Sequence, residues 1–410
     1  MTATATRQAS FARIAQFLPY EQELVSIRRH LHQNPELAFA EYGTSDFIAG
    51  KLAEWGYEVT RGIGGTGLVG TLRHGDGSRS LGIRADMDAL PIQEATGAEH
   101  ASRIAGCMHA CGHDGHMTML LGAAKYLARH RNFSGTLHLI FQPAEERGFD
   151  SGAKAMVEEG LFERFPCDAV YAMHNHPGLP QGQFAMRSGS FMAAGDRVYV
   201  KIVGVGGHAA RPHLAVDPLV AAAAIVTSLQ TVVARNVDPN ESAVVTVGRL
   251  RSGDALNVIP ADAEIGISVR SHSPAVRNLL KERITELITC IAQGHGARAE
   301  INYVQGYPAL ANNAQAVELA AQVATDLVGA EAVNTAFPQL MGSEDFAYML
   351  QRCPGALVRI GNGPSDGGHG LHNPKYDFND ANLPLGVRYW VELVGALLRE
   401  GKLPKASAAA

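Results

Sequence analysis

From residue 81 onward, apolar and polar positions alternate in blocks whose period changes. Short apolar runs at 81–84, 136–141 and 169–173 read as strands, and longer apolar stretches at 117–129 and 153–162 read as helices between them. Strand–helix alternation of this kind predicts an α/β fold, a mostly parallel sheet with helices on both faces. Two helices precede it, one over 21–31, stopped at Asn34-Pro35, and one over 44–55. Next, Gly62-Ile63-Gly64-Gly65-Thr66-Gly67 runs into a strand at 68–72 and not into a helix, so it reads as a turn and fails as a phosphate loop. His30 and His32 lie two apart near the end of the first helix and therefore on different sides of it; both read as polar helix-end residues.

Past Gly195 the pattern is different. An alternating strand at 197–203, a break at 204–208, an alanine-rich helix at 218–234, strands at 243–250 and 263–270, a helix at 275–290 and a strand at 297–304 spell β-α-β-β-α-β. That is a ferredoxin-like unit of roughly 110 residues, large enough for its own core. Helix and strand text then resumes at 314–328, 357–360 and 385–399. A 410-residue chain exceeds what one core usually holds. The expected organisation is a discontinuous catalytic domain, 1–192 with 306–410, interrupted by an inserted dimerisation or lid domain at 193–305. There is no internal repeat and no low-complexity linker.

The polar residues fall where the strands end. Asp86 follows the first, Glu145-Glu146 the second and His174 the third, and ligands of open α/β sheets gather outside the carboxyl ends of strands. Between them lies Cys107-Met108-His109-Ala110-Cys111-Gly112-His113-Asp114-Gly115-His116, with two thiols, three imidazoles and a carboxylate in ten residues. Buried polar side chains need partners, and a metal ion supplies them together. Thiolate with imidazole suits zinc and similar ions better than calcium or magnesium. With Met173-His174-Asn175-His176 and Leu371-His372-Asn373-Pro374 the supply exceeds what one zinc needs, which means two metals, or one metal and a general base.

Composition narrows the setting. Hydrophobic content of 46%, charged content of 18% and a net charge of -5 are globular values that argue against nucleic acid as partner. Five scattered cysteines do not suggest a disulfide framework, so reduced thiols and a cytoplasmic location are expected. Residues 1–15 lack the apolar core of a signal peptide, residues 404–410 are expected to be disordered, and nothing is expected to approach the ~20 apolar residues of a membrane span.

The sequence resembles the M20 metallopeptidase family, in the branch of N-acyl-amino-acid amidohydrolases that includes hippurate hydrolase and the plant auxin-conjugate hydrolases. The residues that carry the resemblance are Arg29 to Leu37, Arg84 to Leu90, Met108 to His116, Gln142 to Glu146, Gly206-Gly207-His208, Asn257 to Pro260, Gly342 to Phe346 and Leu371 to Asp377, in the family's order along nearly the whole chain. The resemblance implies two divalent transition-metal ions per subunit (Zn, Mn, Co or Ni) held by Cys111, His113, Glu146, His174 and His372. It implies Glu145 as the general base that takes a proton from the attacking water and returns it to the leaving amine. It further implies His208 as oxyanion stabiliser, often from the partner subunit, and Asn257 and Arg270 as binders of the substrate carboxylate; a guanidinium fork suits that task.

Around this set, Asp86, Asp88 and Asp114 are expected to orient ligand histidines. His176 is expected to line the site, Cys107, His109 and His116 to be structural, and Cys167, Cys290 and Cys353 to be core cysteines. The expected reaction is hydrolysis of an N-acyl amino acid. A dipeptidase or carbamoylase is the nearer alternative, and a non-catalytic metal or thiol protein using Cys107 and Cys111 the farther one. The small domain's sheet edges predict a homodimer or tetramer through 193–305.

Overall fold

A computed structural model describes residues 20–363 and 369–399; the expectations for 1–15 and 404–410 lie outside the described residues. The chain divides into two compact units. One comprises the chain up to Gly189, Ala311–Pro338 and the chain from Asp345 onward. The other comprises Ser190–Leu310 with Gln339–Glu344. The second unit thus takes in more than the 193–305 insertion expected, including a short stretch from far downstream.

The first unit is built on an eight-stranded sheet in the spatial order Glu58–Ile63, Gly67–His74, Gly135–Gln142, Ser80–Asp86, Ala169–His176, Gly355–Gly361, Phe184–Ala185, Val333–Asn334. Its four middle strands, from Gly135–Gln142 to Gly355–Gly361, are mutually parallel. An antiparallel hairpin, Glu58–Ile63 with Gly67–His74, flanks them on one side, and the Gly-rich 62–67 stretch turns that hairpin. The sheet is therefore mixed around a parallel centre. Every residue of Gly355–Gly361 is buried, as a strand covered on both faces requires, and the runs read as apolar for that reason. Helix His113–His130 packs against Leu383–Leu398 and Glu21–Gln33.

Two boundaries move in ways that matter for function. The helix expected from 117 starts at His113, so the second half of the Cys/His loop is its first turn. The strand expected to stop at Met173 runs on through His174 to His176. Separately, the single helix expected over 153–162 is two, Gly152–Glu158 and Leu161–Arg164, broken at Gly160 with φ 83°.

The second unit is an antiparallel sheet in the order Ala243–Arg251, Asp262–Ser271, Ala194–Val203, Arg298–Gln305, with helices Pro218–Asn236 and Pro274–Gly294 crossing between strands. This is the ferredoxin-like connection. Val198, Val200 and Ile202 alternate inward and join Ile265, Ile267, Leu280 and Ile284 in a core of their own. Helix Pro218–Asn236 corrects one expectation: by length and composition it is apolar enough to cross a membrane. Ala221, Ala222, Ile225, Leu229 and Val232 recur on its buried face and belong to the unit's core, so burial against the sheet accounts for that stripe.

Candidate active site

The parallel centre of the first unit sets the positions. Asp86 is the last residue of its strand. One strand over, Gln142 is followed by Pro143, Ala144 at φ 53° and the one-turn 3-10 helix Glu145–Arg147. His174 sits near the carboxyl end of the strand on the other side of Asp86. The Cys/His loop enters through Gly112, whose φ is 87°; a Cβ there would meet Tyr376 Oη at 2.5 Å and Asn175 Oδ1 at 2.6 Å, so only glycine fits. His372, itself in the left-handed region at φ 64°, is docked by its backbone N–H on the Ala110 carbonyl at 2.8 Å.

These turns bring the donors together. Cys111, His113 and His174 place ligand atoms within 4.8 Å of one another, and so do Cys111, Glu146 and His372; the two groups share the Cys111 thiol. His113, Glu145 and Glu146 form a further such group. Cys111 Sγ lies 3.4 Å from His174 Nε2, and His372 Nε2 lies 3.2 Å from Glu146 Oε1. The ring orientations are set from behind. His174 Nδ1–H donates to the Asn175 carbonyl at 2.7 Å, and His113 Nδ1–H donates to the Asp88 carbonyl at 2.8 Å. Because a carbonyl can only accept, each Nδ1 holds the proton and each Nε2 turns its lone pair inward when the ring is neutral. His113 Nε2 is buried and takes no hydrogen bond, as expected of an atom reserved for a cation.

The electrostatics agree. Burial, with the Arg359 guanidinium and His116 nearby, holds His174 well below the usual imidazole range, so it is a neutral donor. Burial and the Glu146 carboxylate push the Cys111 thiol up, against the pull of His113. Hydrogen bonds to Cys111 and then to Glu146 raise His372 to about 10. Burial disfavours a charged His113, but Asp86 and Cys111 overcome it and hold its proton on. A bound divalent cation replaces those protons, since ligation needs thiolate and neutral imidazole. Thiolate, imidazole and carboxylate in one cluster, buried at Cys111, His113 and His174 and open to solvent at His372, fit zinc, manganese, cobalt or nickel.

Other expected residues fall into place or out of it. Asp86 is fully buried, bonding His116 Nδ1 at 2.6 Å and Arg84 Nη1 at 2.9 Å, with His113 Nε2 at 3.6 Å. His116 is thus wedged between Asp86 and Asn175, 4.6 Å ring to ring from His174. Asp114 does not orient a ligand histidine: its Oδ2 bonds His32 Nδ1 at 2.7 Å, with Arg28 at 3.6 Å. His32 is accordingly wholly buried and not a polar helix end, while His30 is exposed and leans on Phe47. His176 faces the Phe337 ring and joins none of the donor groups. Cys107 donates to the Pro35 carbonyl, and Cys290 is exposed, not in the core.

The carboxylate of Asp88 has a part the sequence did not reveal. It accepts from the backbone N–H of Glu145 at 3.0 Å and of Glu146 at 2.9 Å. Asp-x-x pairing across distant segments leaves no textual signal beyond the Asp itself.

In the second unit, Gly207–His208 pairs antiparallel with Val258–Ile259, and His208 Nδ1 accepts from the Ala210 N–H at 3.0 Å. Ala209 N–H donates to the Asn257 carbonyl at 3.1 Å, so His208 and Asn257 are neighbours on an exposed ribbon. Arg270 lies elsewhere, on Asp262–Ser271 opposite Gly195, with Nη1 donating to Ser343 Oγ. Burial and Arg197 lower its pKa from the ordinary guanidinium value.

A parallel α/β centre whose strand ends hold thiol, imidazole and carboxylate donors beside a further glutamate defines a metal-dependent hydrolase. The chain belongs to peptidase family M20/M25/M40, whose sequence profile matches residues 82–396. It is 43% identical to hippurate hydrolase of Campylobacter jejuni, over 93% of this chain and 98% of that one. It is 42% identical to IAA-amino acid hydrolase ILR1-like 2 of Arabidopsis thaliana, over 92% and 85%. Among solved structures it resembles the Bacillus subtilis YXEP protein, described as a dinuclear metal binding peptidase from the M20 family, with a TM-score of 0.79 and 32% identity over 92% of this chain and 98% of that one.

Proposed function

We propose that this protein hydrolyses the amide bond of N-acyl amino acids, releasing a carboxylic acid and a free amino acid, with two divalent metal ions per subunit. The observation that carries the reading is the pair of donor groups joined at Cys111 with Glu145 directly beside them. Cys111, His113, Glu146, His174 and His372 would hold the ions. Bound there, the metals would lower the pKa of a water from about 15.7 toward 7 and polarise the amide carbonyl.

The chain's residues do the rest. Glu145 takes the proton of the attacking water and delivers it to the departing amine, which as an anion would be too poor a leaving group. Glu146 is the wrong candidate for that role because its oxygen faces His372 and the donor cluster. Asp86 is ionised well below the usual carboxylate range: burial opposes this, but His113, Arg84 and His116 outweigh it. In that state it holds His116 through Nδ1 and lies close to the inward-facing Nε2 of His113. His208 is assigned to the oxyanion, and Asn257 and Arg270 to the substrate carboxylate. The small unit also exposes Tyr199, Leu219, Val220, Leu250, Leu256 and Val258, which supports a homodimer formed through 193–305.

Two substitutions test the core of this reading. Glu145→Gln should leave two metals per chain by elemental analysis and cut turnover about 10³-fold or more. Glu146→Gln should lose metal first. Activity should vanish with a chelator and return with manganese, cobalt, zinc or nickel. Full activity in metal-free protein, or equal metal loss in both variants, would overturn the assignment. A panel of N-acyl amino acids set against dipeptides and N-carbamoyl amino acids would place the substrate.

A further inference from the structure

Three consecutive backbone amides lead into the functional glutamates, and each ends on a buried carboxylate oxygen. Asp88 holds the last two, those of Glu145 and Glu146. The first, Ala144 N–H, donates to Glu41 Oε1 at 2.8 Å, from a segment more than a hundred residues away. Glu41 is itself fully buried, is the residue that precedes helix Tyr42–Glu54, and has its other oxygen held by Thr66 Oγ1 at 2.5 Å. The amide it holds is the one under stress. Ala144 is buried at φ 53°, a left-handed conformation that is unfavourable for an L-residue with a side chain. Burial pushes the Glu41 carboxyl up to about 7, and in either protonation state Oε1 remains an acceptor for this amide. The backbone therefore bends at Ala144 because something holds it there.

We propose that Glu41 is a positioning residue for catalysis: with Asp88 it clamps the Ala144–Glu146 backbone, and its own share is to fix the bend that aims Glu145. The proposal rests on Glu145 acting as the base. Among the described residues the Glu41 carboxyl bonds Thr66 and the Ala144 amide and none of the metal donors, so its path to Glu145 runs through that amide. Without it, a buried N–H is left unpaired beside a strained residue, and the peptide relaxes. Asp88 still holds the Glu145 and Glu146 amides, so at saturating metal the ions stay; what is lost is the fixed bend at Ala144 that sets the direction in which Glu145 leaves the backbone. Displacement of a catalytic group by about 1 Å can cost 100-fold in rate.

The geometry distinguishes two substitutions at one position. Glu41→Gln keeps an acceptor for Ala144 and can donate its amide to Thr66 Oγ1; Glu41→Ala has nothing to offer. With metal saturating, Glu41→Ala should lower kcat by about 10- to 100-fold with KM within about threefold, and Glu41→Gln should stay within about threefold of the parent in both. Thr66→Val, which keeps the side-chain shape and loosens only one Glu41 oxygen, should fall between them and covers the case in which Glu41→Ala does not fold. Hydrogen–deuterium exchange of the peptide spanning 144–147, measured on metal-free protein, gives a readout independent of turnover. It should be slow in the parent and Glu41→Gln, and faster in Glu41→Ala or Thr66→Val. Unchanged exchange, unchanged kcat, or a Glu41→Gln loss as large as that of Glu41→Ala would overturn the clamp. Glu145→Gln run in parallel separates the two readings: if it keeps its kcat, the base assignment falls, while exchange still decides whether Glu41 holds the turn.

Discussion

His32 lies 2.7 Å from Asp114 and near Arg28 and Glu94, all within a buried network at the foot of the Cys/His loop. Burial alone would strip its proton, but the Asp114 carboxylate outweighs that and raises it to about 10. Because the folded value lies above the unfolded one of about 6.5, the stability it contributes is complete below pH 6.5 and is lost as pH rises toward 10. We expect the melting temperature to fall across that window, and His32→Gln to flatten the fall and to lose about 1–3 kcal/mol at pH 6. A slope unchanged in His32→Gln would put the titrating group elsewhere. Residues of this sort were illegible in the sequence. The metal donors are legible because thiol, imidazole and glutamate crowd into short stretches that nothing else explains. His32 and Glu41 look like ordinary helix residues, and their partners lie 82 and 103 positions away. Only the fold pairs them.

At the scale of elements, long periodic segments were readable and short ones were not. The central strands show as largely apolar runs of four or more residues, and the six elements of the ferredoxin-like unit as longer periodic ones. Phe184–Ala185 and Val333–Asn334, the last two strands on one side of the sheet, are two residues each, with no period to detect. A helix start is legible where a cap marks it, as at 218, and not at His113, where no side chain caps the helix. Helix Pro218–Asn236 illustrates this: Asp217 Oδ1 accepts from Leu219 N–H at 2.9 Å and Val220 N–H at 3.3 Å, with Pro218 at the first turn. Asp217→Ala should therefore cost about 1 kcal/mol, about 2–4 °C in the melting of the small unit, with metal content unchanged. Differential scanning calorimetry with parallel metal analysis checks it; loss of metal together with the cap would show that the units are not independent in stability.

For the whole molecule, the metal donors and most of the exposed apolar surface fall in different units. All five assigned metal donors belong to the first unit, and most of the large exposed apolar residues belong to the second. If the second unit pairs two copies, sedimentation should give a dimer, and Leu219→Glu with Val220→Glu should yield monomers that keep their metal. Mixing inactive Glu145→Gln chains with inactive His208→Ala chains then asks whose site His208 serves. Recovery to about a quarter of the parent's sites after verified exchange means that His208 serves the neighbouring chain; none means that it serves its own or plays no part in turnover. The expected pairing rests on an unsatisfied sheet edge, since the sequence shows which faces are apolar but not what meets them.

The docking of His372 on the Ala110 carbonyl bears on how the centre is first filled. Cys111, His113 and His174 are close in sequence and precede the whole second unit, whereas His372 comes near the end of the chain. On the ribosome, then, one donor group is fully synthesised while the other still lacks a member, and every residue of the insertion must emerge before it arrives. Closing so long a loop adds little entropy cost, since each doubling of length costs only about 0.6 kcal/mol. What it adds is an order: the group of Cys111, Glu146 and His372 cannot be complete until the whole insertion has been synthesised.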